Sequence, residues 1–174
     1  ECNITPLGAD GNQVDIRMTL TSPGCGMGDY LADDLPAGMN IRTLDAWEFE
    51  GPTLISHLES IQGHIEQGIT HGEFPILLGG EHGLLLPALK ACVSGGVLES
   101  LNDLTLVQID AHADLRDELN GERFSHGTVV RRCLDEGLSH AIQIGIRAYS
   151  SDEARMIESD DRIIAWRARE IQED

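Results

Sequence analysis

Three short apolar runs, each closed off by turn-forming or charged residues, constrain the fold of this chain more than any other feature. Phe74–Leu78 lies between Gly72 and the pair Gly79-Gly80, residues 104–109 stop at Asp110, and residues 141–146 stop at Arg147. Runs of this length suit strands buried on both faces, the kind that parallel sheets contain. Helical patterns separate them. Leu54, Ile55, Leu58, Ile61, Ile65 and Ile69 recur at helical spacing behind Pro52, which a first helical turn tolerates, and residues 84–93 and 129–134 read as further helices. Ser151 is the expected N-cap of a helix over 152–158, with Glu153 in its first turn. Weaker strand signals lie at 14–20, 41–44 and 162–166. Strands alternating with helices, without hairpin signals, indicate an α/β fold with a mainly parallel sheet.

In such a sheet, ligands bind beyond the carboxyl ends of the strands. The residues there carry the chemistry. After the run 104–109 come Asp110, His112 and Asp114 at i, i+2 and i+4, which an extended backbone would point to one side. Two hard carboxylates and an imidazole suit a divalent ion such as Mn²⁺, and Ala111 and Ala113 leave room for a ligand to approach. His82 follows the run 74–78 after two glycines and a glutamate, and would face the same crevice if the two strands lie near each other. Alone, a histidine in that position is more often structural. His126, in Ser125-His126-Gly127-Thr128, reads either as a neighbour of a helix start or as an acid-base histidine. His57 and His64 are seven apart on one helix with nothing converging on them, so they are read as helix surface.

A chain of 174 residues, 41% of them hydrophobic, supplies one ordinary core. Its net charge of −18 argues against a nucleic-acid partner and would attract a metal or a cationic substrate. No apolar run approaches a membrane span, and no charged-then-apolar leader marks export. Four scattered cysteines without a C-x-x-C pair point to a reducing, cytoplasmic setting. The start at Glu1 rather than Met is expected of a processed chain or of a piece of a longer one.

Two resemblances rest on particular residues. M-T-L-T-S-P-G-C-G-M-G-D-Y-L-A-D-D at 18–34 resembles the signature of SufT-like metal-sulfur cluster assembly domains, in which a cysteine at the position of Cys25 is functional. L-G-G-E-H-G at 78–83, Q-I-D-A-H-A-D-L-R-D-E at 108–118, S-H-G-T-V-V-R-R at 125–132 and Q-I-G-I-R-A at 143–148 resemble, in order and spacing, the ureohydrolases: arginases, agmatinases and formiminoglutamases. The wording S-H-G-T is closer to agmatinases.

The second resemblance implies a three-layer αβα sandwich and a pair of Mn²⁺ ions. It makes residues 36–174 a partial, truncated ureohydrolase domain and leaves 1–35 as an uncertain N-terminal segment. His82 would bind one ion, Asp110 would bridge both, His112 would bind the second, and Asp114 would ligate the first and orient a metal-bridging hydroxide. His126 matches an active-site histidine that assists proton transfer or substrate binding. The family completes its ligands, and grips the guanidinium with a glutamate, in a segment that falls after Asp174, so four of six ligands are expected here. The implied reaction is hydrolysis of a guanidino compound, agmatine giving putrescine and urea in polyamine synthesis, by a homo-oligomer (trimer or hexamer). The competing expectations are a non-catalytic, degenerate ureohydrolase and an assembly protein acting through Cys25.

Overall fold

The structure is a computed structural model that describes residues 4–7, 11–20 and 40–44 by their backbone, and residues 48, 51–79 and 81–171 with their side chains. The Gly-rich stretch with Cys25 lies outside the described residues. The chain divides into two compact units, Glu1–Gly80 with Ser94–Val97, and Glu81–Val93 with Leu98–Asp174.

In the first unit, β1 (Ile4–Leu7) pairs antiparallel with the start of β2 (Gly11–Leu20), whose second half pairs in parallel with both β3 (Asn40–Leu44) and β4 (Phe74–Leu78). The β1–β2 hairpin corrects the expectation of none. The connection does carry Asp10-Gly11, a hairpin-type dipeptide, but Pro6 within the short run Ile4–Leu7 argues against reading a strand there from sequence alone. Helix α1 (Leu54–Thr70) starts where the periodicity placed it. Thr53 and Ser56 form a reciprocal capping box at its N-terminus, and Ile65, Gly68 and Ile69 make its buried stripe.

In the second unit, a 3-10 turn (His82–Leu84) runs into α2 (Leu85–Ser94). Three parallel strands follow in the order β5 (Thr105–Ile109), β6 (His140–Ile146), β7 (Ile163–Arg167). Helix α3 (Val129–Asp135) precedes β6 and α4 (Ser151–Ser159) follows it, while the short α5 (Ala168–Ile171) follows β7. One core joins Leu86 of α2, Val129, Val130, Cys133 and Leu134 of α3, Ala113, Leu115 and Leu138 of the connections, and Ala141, Ile146 and Ile163 of the strands. Truncating Leu115 or Leu134, each 2% exposed, to alanine would cost about 2–5 kcal/mol.

The strands do not bury both faces evenly. Val107, Ile142 and Ile164 are register partners, as are Ile109, Ile144 and Trp166, and Val107, Ile109, Ile164 and Trp166 of these rows are exposed. Continuous apolar runs led to the expectation of strands covered on both sides. Among the described residues, one face of this sheet carries the core and the other presents its branched and aromatic side chains to solvent.

The start of α4 differs by one residue from the sequence expectation. The N-cap of α4 is Ser150 rather than Ser151, because Ser150 accepts from the backbone of Glu153 while its own N–H donates to the Glu153 carboxylate. Arg132 is buried and pairs with Asp117 at 2.7 Å and Asp135 at 3.2 Å.

Candidate metal centre

Strand β5 ends at Ile109, and Asp110 is the first residue beyond it. Its backbone stays attached to β6 through an N–H bond to the carbonyl of Ile144 at 3.0 Å. The chain then turns. The His112 N–H donates to Asp110 Oδ1 at 2.9 Å, and Asp114 adopts a left-handed backbone with φ of 54°. This conformation is uncommon for a residue with a Cβ, and aspartate is among those that tolerate it best. It is held by the α3 backbone, where the Arg131 N–H donates to the Asp114 carbonyl at 3.2 Å.

That turn changes which side chains meet. The segment is not an extended strand that points three ligands to one side. Instead His82, Asp110 and Asp114 come together, with one ligand atom from each lying within 4.8 Å of the others. His82 Nδ1 is 2.8 Å from Asp114 Oδ2 and 3.6 Å from Asp110 Oδ2. The His112 ring lies 3.4 Å from Asp110 Oδ1, but it is 68% exposed and outside the three-residue group. Among the described residues, no other such group of three or more forms, and His57 and His64 take part in none.

His82 is delivered by the 3-10 turn. Glu81 caps that turn by accepting from the Gly83 N–H at 3.0 Å. Gly83 is tightly enclosed: a Cβ there would stand 3.1 Å from Glu81 Oε1 and 3.8 Å from the carbonyl carbon of Ser125. The segment carrying His126 therefore abuts the segment carrying His82. His126 Nδ1 lies 3.7 Å from Glu81 Oε2, with its side chain 63% exposed.

The electrostatics are those of a cation site. The Asp114 carboxylate, by its hydrogen bond, raises the His82 pKa above the ordinary histidine value against the opposing effect of burial, and the charges of Asp114, Asp110 and Glu81 add to the rise. Burial pushes Asp110 upward, yet the His112 and Ala111 backbone N–H groups and the His82 charge hold it below the usual carboxylate range. Two carboxylates and an imidazole, converging without a lysine or arginine among them, fit a hard or borderline divalent ion.

Behind the carboxylates lie two residues to which the sequence reading gave no role. Gln108 Nε2 donates to Asp114 Oδ2 at 3.0 Å, and Gln143 Nε2 donates to Gln108 Oε1 at 2.6 Å. Each is a polar residue in the middle of an otherwise apolar strand, and that was the available signal. Glu153 also reaches this region, accepting from the Leu115 N–H at 3.1 Å while it caps α4.

Residues 20–174 match the arginase family. The chain belongs to that family. The match takes in all four motifs at 78–148 and also most of the stretch with the SufT-like wording. Guanidinobutyrase from Pseudomonas aeruginosa is 36% identical over 98 residues, covering 55% of this chain and 29% of that protein. Mitochondrial agmatinase from Gallus gallus is 44% identical over 85 residues, covering 47% of this chain and 24% of that protein. Among solved structures, formiminoglutamase from Trypanosoma cruzi with Mn²⁺ superimposes with a TM-score of 0.67 at 15% identity, covering 91% of this chain and 61% of that one. This likeness bears on fold, and it agrees with the expected arginase-like arrangement of a parallel sheet with helices. The chain spans about a quarter to a third of the length of the curated relatives it matches.

Proposed function

We propose that this chain provides the first half of a two-metal centre in a ureohydrolase that cleaves a guanidino compound, with agmatine as the substrate and putrescine and urea as products. The observation that carries the reading is the convergence of His82, Asp110 and Asp114 in a chain of the arginase family. His82, Asp110 and Asp114 would hold one ion. His112, exposed beside Asp110, would take a second ion together with Asp110 as the bridging carboxylate. Manganese is the ion proposed, in keeping with the mixed carboxylate and imidazole donors and with the metal bound to the formiminoglutamase relative in fold. Such ions supply Lewis acidity and an acidified water at neutral pH, which a guanidinium carbon, deactivated by charge delocalised over three nitrogens, requires.

The chain's own groups do the rest. The carboxylates of Asp110 and Asp114 offset the charge of the ions so that a cationic substrate is not repelled. Asp114 also accepts a hydrogen bond from the attacking water and so orients it. His126, exposed beside Glu81, delivers a proton to the departing amine nitrogen, without which the amine is a poor leaving group.

Agmatine carries an ammonium at its far end, and 4-guanidinobutyrate carries a carboxylate. A chain with 30 acidic residues against 12 basic ones favours the doubly cationic molecule. The test is urea release by the complete protein containing this sequence, loaded with MnCl₂ and offered agmatine and 4-guanidinobutyrate in parallel. Urea from agmatine with little from the acid is the expected result. Urea from the acid alone would overturn the substrate, and no bound manganese and no urea would overturn the enzyme reading.

A further inference from the structure

Gln108 and Gln143 are register partners on adjacent parallel strands, and both are buried, at 5% and 0% exposure. On the same face of β6, Gln143 has buried Ala141 as its neighbour, and branched aliphatic residues would pack these positions without polar atoms to satisfy. A buried amide left unpaired is costly, so two of them in a strand pair need a reason.

Their hydrogen bonds run in one direction. Gln143 Nε2 donates to the Ala113 carbonyl at 2.7 Å and to Gln108 Oε1 at 2.6 Å. Turning this amide over would set its oxygen against two oxygens, so its orientation is fixed by its acceptors. Gln143 Oε1 is left buried without a partner, which is the cost of aiming Nε2 at both. Gln108 must then turn its carbonyl toward Gln143 and its NH₂ toward the metal centre. There Nε2 donates to Asp114 Oδ2 at 3.0 Å and lies 3.3 Å from the His112 carbonyl. The polarity set at Ala113, one residue before Asp114, thus returns through two amides to the Asp114 carboxylate. Filling space would not require such a directional closed path.

We propose that Gln108 and Gln143 act as a positioning relay that fixes the rotation of the Asp114 carboxylate and so presets one oxygen for a divalent cation. The inference rests on the metal reading of the site given above. Asp114 sits on a left-handed backbone within the loop after β5, and the Gln108 amide adds a second partner, at 3.0 Å, to the same Oδ2 that His82 approaches at 2.8 Å. Outer partners of this kind normally govern a ligand's orientation, and their loss weakens metal binding about 10- to 100-fold.

The test uses Gln108→Met and Gln143→Met, which keep volume and remove the amide, together with the double variant and Asp114→Ala. Manganese affinity is read by titrating MnCl₂ into each protein, and the stability of each metal-free protein is read by thermal unfolding. Each single variant is expected to bind manganese about 10- to 100-fold more weakly, with the double variant no worse than the weaker single one, because the two amides form one path. Unchanged affinity in Gln108→Met, or losses that multiply in the double variant, would overturn the relay. If the parent protein binds no manganese, or Asp114→Ala binds it as well as the parent, the metal reading itself falls. Should a variant fail to fold, the parent protein decides the matter. On titration with MgCl₂ the side-chain amide resonances of Gln108 and Gln143 are expected to shift and saturate together, and amide signals that stay still while the metal binds would overturn the relay.

Discussion

Gly145 holds a φ of 89° in the bulge between Ile144 and Ile146, and a Cβ on it would stand 3.3 Å from the carbonyl oxygen of Asp110. The glycine of Q-I-G-I-R-A is thereby tied to the first aspartate of Q-I-D-A-H-A-D. Both constraints, the positive φ and the close carbonyl, fall on the residue that lacks a side chain.

Gly145→Ala is accordingly expected to lower stability by about 1–2 kcal/mol through the left-handed backbone alone. The added methyl would also press on Asp110, so manganese binding should weaken together with stability. Chemical denaturation and an MnCl₂ titration of the variant read the two effects. Wild-type values for both would mean that β6 closes against Asp110 without needing the glycine.

Much of this arrangement was legible in the sequence. Phe74–Leu78 is a strand over the residues the apolar run marked, the helix behind Pro52 begins at Leu54, and His82, Asp110 and Asp114 do converge. What failed was the geometric argument for the cluster. Alternation predicts that Asp110, His112 and Asp114 point one way only while the strand continues, and here it stops at Ile109. Asp114 reaches the site from a left-handed turn, which is a consequence of the Arg131 and Gln108 contacts and has no local signature. The contacts of Gln108 and Gln143, and that of Glu153 with Leu115, are illegible locally for a related reason. Their role depends on partners at sequence separations of 6 to 38 residues.

Asp114→Ala removes a carboxylate that is 6% exposed and lies at the centre of the group. Loss of manganese from one of the two positions is expected, with loss of nearly all urea formation in the complete enzyme. His126→Ala, by contrast, should leave manganese content near that of the parent while turnover falls about 10²- to 10⁴-fold, the usual contribution of a proton-transferring group. Metal analysis beside urea assays separates the two, and a metal-depleted His126→Ala would make that histidine a ligand.

Acid should weaken the turn before β7. Asp160 grips Arg162 with both oxygens, Oδ1 to Nε at 2.9 Å and Oδ2 to Nη2 at 2.7 Å, and that hydrogen-bonded guanidinium holds the Asp160 carboxyl below the usual range despite partial burial. A carboxyl with a depressed pKa stabilises the fold above its unfolded value and loses that contribution as pH falls through the folded one. The difference in stability between the parent and Asp160→Asn, measured by denaturant titration, should therefore be present at neutral pH and vanish toward pH 2. A constant difference across that range would mean the pair contributes through shape rather than charge.

Cys133 lies in the α3 core at 0% exposure, and burial pushes its thiol up to about 12. Since the thiolate is the reactive form, iodoacetamide at pH 8 should leave Cys133 unmodified in the native protein and label it fully in denaturant. Cys92, only partly buried, should react earlier. Peptide mass mapping gives the order, and rapid native labelling of Cys133 would show that α3 opens.

The bare side of the β5-β6-β7 sheet has a colloidal consequence. Trp166 at 52% exposure and Ile109 at 82% belong to an apolar face of the sort that draws two molecules together at short range. Against it stands the −18 charge, whose repulsion acts at longer range but fades as salt shortens the Debye length. Shelf life in solution is thus a contest between these two ranges. Low ionic strength and a pH well above the sequence pI of about 4.5 keep the molecules apart, and concentrated salt or mild acid lets the sheets meet.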